Sequence, residues 1–212
     1  MNPTLDEILK RAPVIPVLVI HDLAAAAPLA DALVAGGLPV LEVTLRTPAG
    51  LAAIEAMRRA VPEAIVGVGT LSSAAQFAES ARAGAQFGVA PGLTAALVEA
   101  SRNAPFPFLP GVATASELMN AREAGFRCCK LFPAQQAGGT GMLRALHSVF
   151  PDVGFCPTGG IHLDNAAEYL ALPNVLCVGG SWVAPNALIQ DGDWLAIRKL
   201  AQQAAALKPA AR

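Results

Sequence analysis

Short apolar runs alternate with alanine-rich helical stretches eight times along this chain, and that alternation restricts the folds open to it. The runs rich in β-branched residues lie at 14–20, 38–45, 64–70, 86–90, 107–112, 127–132, 153–158 and 174–179. Helical stretches fill the gaps at 24–35, 49–60, 73–83, 94–103, 115–124, 142–150, 163–170 and 194–207. Ser72 or Ser73, Thr94 and Thr114 stand where N-caps belong, and Gly36, Gly84 and Gly125 where a helix would end. Strands alternating with helices of this length imply βαβ units and a parallel sheet. Eight such units predict an α/β chain folded as a single (β/α)8 TIM barrel domain over residues 1–212. Residues 4–11 read as a short extra helix before the first strand. The competing open doubly wound sheet lacks its phosphate-gripping G-x-G-x-x-G, because the first run is followed by Ile20-His21-Asp22-Leu23.

The hydrophobic fraction, 54%, raises the question of a membrane. Pro16, Asp31, Gly36 and Gly37 interrupt the apolar runs before any reaches the roughly 18 clean residues of a span. The polar stretch carrying Asp6, Glu7, Lys10 and Arg11 is unlike a secretory signal, so a cytoplasmic protein is expected. A net charge of -1 and the lack of a basic stripe argue against a nucleic-acid partner. Cys128, Cys129, Cys156 and Cys177 form no CxxC pair and sit in apolar runs, as reduced structural thiols do. His21, His147 and His162 are too few and too scattered for a metal site, and no metal or cofactor is expected.

Chemistry enters through polar residues placed on strands. In Leu41-Glu42-Val43-Thr44-Leu45-Arg46, alternation puts Glu42, Thr44 and Arg46 on the face that a barrel turns inward. Inward charges are costly unless they are paired or used, so these residues serve chemistry or, as the alternative, form a structural Glu42–Arg46 ion pair. The same parity turns Cys128, Lys130 and Phe132 inward in Arg127-Cys128-Cys129-Lys130-Leu131-Phe132-Pro133. Lysine is seldom buried without a partner, and a desolvated neutral amine attacks carbonyls to form Schiff bases. Thr70, Pro91 with Gly92, and Thr158 end neighbouring runs on the same rim, where barrel enzymes keep their chemistry. Gly159-Gly160 and Gly179-Gly180-Ser181 follow the last two runs, a place where such barrels bind phosphate through backbone N–H groups.

From Ile8 to Leu207 the chain resembles the KDPG/KHG aldolase family. The resemblance is carried by Glu42-Val43-Thr44-Leu45-Arg46-Thr47, Gly69-Thr70, Pro91-Gly92-Leu93, Lys130-Leu131-Phe132-Pro133-Ala134, Phe155-Cys156-Pro157-Thr158-Gly159-Gly160-Ile161 and Gly179-Gly180-Ser181-Trp182. It implies a metal-free class I aldolase, a homotrimer, that splits 2-keto-3-deoxy-6-phosphogluconate (KDPG) into pyruvate and glyceraldehyde 3-phosphate. It further implies Lys130 as Schiff-base lysine, Glu42 as proton-transfer base, and Arg46 and Thr70 as contacts to the pyruvyl part. Gly159, Gly160, Gly180 and Ser181 would hold phosphate, with Pro91, Phe132 and Thr158 lining the pocket. Gln135 stands where many relatives carry an acidic residue, which leaves fine substrate preference open between KDPG, 4-hydroxy-2-oxoglutarate (KHG) and epimers. The rivals are a non-covalent phosphate-binding isomerase or epimerase, a non-catalytic sugar-phosphate binder, and a metal-dependent aldolase.

Overall fold

The apolar runs become strands that pair in parallel with their sequence neighbours, and the last strand returns to lie beside the first. The computed structural model describes residues 3–209. Its elements are α1 (Leu5–Leu9), β1 (Val14–Leu18), a 3-10 turn (Leu23–Ala25) leading into α2 (Ala26–Ala35), β2 (Val40–Thr44), α3 (Gly50–Ala60) and β3 (Ile65–Gly69). Then come α4 (Ala75–Arg82), β4 (Gly88–Val89), α5 (Ala95–Arg102), β5 (Phe108–Leu109), β6 (Gly111–Val112), α6 (Ala115–Glu123) and β7 (Cys128–Leu131). The chain continues through α7 (Gly139–Val149), β8 (Gly154–Pro157), α8 (Leu163–Leu170), β9 (Val178–Gly180), α9 (Asn186–Asp191) and α10 (Trp194–Ala205).

The strands form a six-stranded sheet, ordered β5-β4-β3-β2-β1-β9, and a three-stranded sheet, β6-β7-β8. This differs from one uninterrupted eight-stranded ladder, and the reason is local. Pro110 has no N–H to donate, so the run 107–112 splits into β5, which pairs with β4, and β6, which pairs with β7. The other seam is looser: Phe155 bridges to Val175 and Thr158 to Gly179, linking β8 to the segment that becomes β9.

Two apolar clusters flank the strands. Leu41, Val43, Val66, Val68, Cys129 and Leu131 pack outward against helix residues such as Leu29, Leu33, Ile54 and Met57. Ile15, Val40, Phe87, Val89, Leu109, Cys156 and Cys177 form the second cluster on the opposite face. Ile8 and Leu9 of α1 are fully buried in it, each contributing about 2 kcal/mol. One side of the sheets is thus filled with hydrocarbon at the α1 end, which leaves the opposite end for polar groups.

Thr94 accepts from the Leu97 N–H, and Thr114 forms a reciprocal capping box with Glu117. Ser72 and Ser73 are not caps: their N–H groups instead donate to the Gln76 side chain, and α4 begins after Ala74. Gly84 and Gly125 take the left-handed conformation just past their helices, whereas at the end of α2 that role falls to Gly37 rather than Gly36. The stretch 208–212 lies partly outside the described residues. Among the described residues, no helix is long and apolar enough to cross a membrane.

Candidate active site

Lys130 and Glu42 come from different sheets, 88 positions apart in sequence, and meet at 3.2 Å between Nζ and Oε1. Both are almost wholly buried, at 5% and 3% exposure. Lys130 sits on β7 in register with Gly111 and Cys156, and Glu42 sits on β2 opposite Val17 and Gly67. The Lys130 ammonium also lies 5.4 Å from the centre of the Phe132 ring, a cation–π distance. Behind Lys130, burial pushes the Cys129 thiol up to about 12, so that neighbour stays a protonated hydrophobe.

Glycine makes the room. A Cβ on Gly69, in register with Thr44, would lie 2.3 Å from Glu42 Oε1 and 2.6 Å from its Cγ. Gly69→Ala is therefore expected to push the carboxylate off Lys130. Overpacking of this kind costs about 2 kcal/mol, or roughly 6 °C of melting temperature in a chain this size. Turnover should fall at least about tenfold with it, since a 1 Å misplacement can cost as much as 100-fold. A thermal melt beside a steady-state assay checks both, and unchanged turnover would show that Glu42 placement does not limit the chemistry.

The pair opens into a cavity of about 310 Å³ lined by Val17, Glu42, Thr44, Arg46, Thr70, Pro91, Lys130, Phe132, Thr158, Gly159, Gly160, Ile161, Gly179, Gly180 and Ser181. Every site residue expected from the sequence is on its wall. Of the two readings of the inward charges, the structural Glu42–Arg46 pair is not the one formed: Glu42 pairs with Lys130. Arg46 is exposed and its Nε donates to Thr44 Oγ1 at 3.2 Å. Thr70 is the lone non-glycine among the described residues with a positive φ, 65°. For a β-branched residue that conformation is strained, and such strain collects at functional sites.

The glycine rim is built for an anion. The carbonyls of Thr158 and Gly159 accept from the N–H groups of Ala134 and Gln135, at 2.8 and 3.1 Å. The Gly160 carbonyl accepts from the Asn165 amide at 3.0 Å, and Asn165 Oδ1 accepts the His162 N–H. Because a trans peptide points its N–H opposite its C=O, these bonds turn the N–H groups of Gly159, Gly160 and Ile161 the other way. Gly159 and Gly160 hold φ of 101° and 75°, and α8 begins just beyond, its dipole favouring negative charge. Gly179 is needed for fit, since a Cβ there would come within 2.2 Å of Thr158 Oγ1.

Asn165 and Gly69 escaped the sequence reading as site residues. Asn165 stands five positions past the loop it ties, on a helix, where nothing but a fold reveals its contact. Gly69 was visible only as the neighbour of Thr70. Among the described residues no cluster of three or more metal-ligating side chains occurs. His21 and His162 are exposed on loops.

Comparison with known proteins gives a consistent result. Residues 5–200 match the family model described as KDPG and KHG aldolase. The KHG/KDPG aldolase of Escherichia coli (strain K12) is 49% identical, over 94% of this chain and 93% of its own. A KDPG aldolase from Legionella pneumophila, with pyruvate captured as a covalent carbinolamine intermediate, superposes with a TM-score of 0.95 at 45% identity, covering 97% of this chain and all of that one. The Zymomonas mobilis 2-keto-3-deoxy-6-phosphogluconate aldolase with 3-phosphoglycerate gives a TM-score of 0.91 at 48% identity, covering 97% and 96%.

Proposed function

The chain belongs to the KDPG and KHG aldolase family, and from that membership we propose how its own residues run the reaction. It is an aldehyde-lyase that cleaves 2-keto-3-deoxy-6-phosphogluconate to pyruvate and glyceraldehyde 3-phosphate, and 4-hydroxy-2-oxoglutarate to pyruvate and glyoxylate. The observation that carries the mechanism is the buried Lys130–Glu42 pair at the floor of a glycine-rimmed pocket.

Within the 3.2 Å pair, the ammonium proton of Lys130 passes to Glu42 and frees the amine. Lys130 Nζ attacks the C2 carbonyl; Glu42 returns that proton to the alkoxide, then takes a second proton from Nζ and passes it to the hydroxyl, which leaves as water and gives the iminium. The iminium is an electron sink. Glu42, directly or through one water, takes the C4 hydroxyl proton; the C3–C4 bond breaks, the aldehyde departs and its electron pair forms an enamine. Protonation at C3 and hydrolysis release pyruvate and restore the lysine. Glu42 has the access to solvent this needs, because it lines the open cavity.

Arg46 and Thr70 hold the pyruvyl carboxylate, the guanidinium by charge and Thr70 from its fixed, strained backbone. The N–H groups of Gly159 and Gly160, with the Ser181 hydroxyl, take the phosphate beside Gly180, whose missing side chain leaves the room. Pro91, Phe132 and Thr158 wall the carbon chain between them. We further read the two sheets as one (β/α)8 barrel and one domain, with α1 as the floor. Hydrogen bonds on both sides of Pro110, from Ala90 N–H to Leu109 and from Lys130 N–H to Pro110, support continuity at that seam. A cytoplasmic homotrimer completes the proposal, and sedimentation velocity reads the subunit number directly.

Incubation with pyruvate and borohydride tests the chemistry. Intact-protein mass should rise by one reduced pyruvyl unit, and digestion should place it on the peptide containing Lys130. Folded protein that forms no adduct would end the Schiff-base mechanism and favour a non-covalent isomerase.

A further inference from the structure

We infer that Thr44 is a positioning residue for Arg46, acting through its hydroxyl to fix how the guanidinium meets the substrate carboxylate; this rests on the aldolase reading above. Thr44 is 1% exposed, a hydroxyl held on the cavity side of a parallel strand where a valine would pack as well. A hydroxyl carries a single proton. Thr44 Oγ1 commits that proton to the Leu18 carbonyl on β1, at 2.8 Å. It can therefore only accept from Arg46 Nε, which lies 3.2 Å away. The rotor is set by the first bond, and the second bond inherits its direction.

The consequence falls on the guanidinium. Arginine has five N–H donors in a rigid plane, and the group on Nε is one of them. With Nε held from behind, the plane is oriented and the terminal nitrogens stay available for a two-point grip on a carboxylate. None of the ion pairs found among the described residues involves Arg46, so no protein carboxylate supplies that orientation instead. Exposed arginines otherwise sample many rotamers, and freezing one costs up to about 2 kcal/mol. A second tie lies just beyond: the Thr47 hydroxyl donates to the Ile20 carbonyl, so the segment carrying Arg46 is stapled to the end of β1 on both sides. Thr47 fixes the backbone; the Thr44 hydroxyl is what bonds the guanidinium.

Thr44→Val keeps the shape and removes both hydrogen bonds, while Thr44→Ser keeps the hydroxyl. The expected result for Thr44→Val is a KM for the keto acid raised about tenfold, with kcat falling less than about threefold, because the grip on the carboxylate is present in ground and transition states alike. The pyruvate concentration giving half-maximal borohydride trapping should rise by the same factor. Thr44→Ser should return both to within about twofold of the parent. Thermal melts recorded on each variant separate loss of fold from loss of grip.

The double variant decides the route. If Thr44 acts through Arg46, Thr44→Val on an Arg46→Ala background adds nothing to the KM of Arg46→Ala alone. Additive KM penalties would overturn the proposal and make Thr44 a direct substrate contact. An unchanged KM in Thr44→Val, or a serine variant as impaired as the valine, overturns it too. Unmodified parent protein in the trapping assay fails the aldolase reading itself, whereas normal trapping with an indifferent Thr44→Val fails this inference alone.

Discussion

Replacing Lys130 with arginine is expected to abolish both the pyruvate adduct and aldol cleavage, with turnover falling on the order of 10⁴-fold or more. Arginine carries the same positive charge opposite Glu42, so the buried pair is kept and the protein should fold. It cannot supply a neutral amine, because the guanidinium is never deprotonated in a protein. Charge and nucleophilicity are thereby separated, which alanine could not do: Lys130→Ala strands Glu42 without its counter-charge, and breaking a buried pair costs about 3 to 5 kcal/mol. The assignment is also unambiguous among lysines. Lys10, just past α1, is half-exposed and bonded to Asp6, while Lys199 and Lys208 lie on or beyond α10, outside the cavity. Mass analysis after borohydride and a pyruvate-release assay, on folded Lys130→Arg, read the result. Retention of more than about one part in a hundred of the parent rate would mean that charge, not covalency, drives the reaction, as in the isomerase alternative.

What the sequence revealed and what it hid divide along a physical line. Period-two alternation told which face Glu42, Thr44 and Lys130 would share, because a strand permits no other arrangement, whereas Arg46 and Phe132 stand in the turns just past β2 and β7. It could not tell which charges would pair. Glu42 and Arg46 are close in sequence, yet the buried carboxylate takes Lys130, which only the curvature of the sheets brings within reach. Contacts that depend on the third dimension were invisible in the same way. Gly69 yields its side chain to Glu42, Gly67 yields its own to Phe87, and neither glycine differs in sequence from one in an ordinary turn. Local rules also erred where two choices stood adjacent, as with Gly36 against Gly37. α9 was not foreseen at all; at six residues it is too short to show a period. Pro110 was written into the fifth run, and its effect, splitting one strand into two, follows from its missing donor rather than from the run's hydrophobicity.

Glu42→Gln is expected to leave Schiff-base trapping measurable while reducing aldol turnover by about 10² to 10⁴-fold. Glutamine has nearly the shape of glutamate and still offers an oxygen to Lys130 Nζ, so the 3.2 Å contact and the room left by Gly69 both survive. It cannot accept a proton. The two halves of the reaction respond differently to that loss. Water in the open cavity can take the Lys130 proton in place of Glu42, so attack on the keto group is slowed but is not the step most impaired. Removal of the C4 hydroxyl proton and exchange at C3 both need a base in the cavity, and those steps should fail. Proton NMR of pyruvate in D2O isolates the second: the parent should wash deuterium into the methyl group through the enamine, and Glu42→Gln should not. If exchange runs at the parental rate while trapping persists, the base lies elsewhere on the cavity wall and Glu42 serves only to hold Lys130. If trapping disappears together with exchange in a folded variant, Glu42 is required from the first step, as the proton acceptor that frees the amine. Loss of exchange with trapping intact identifies it as the base that moves protons at carbon.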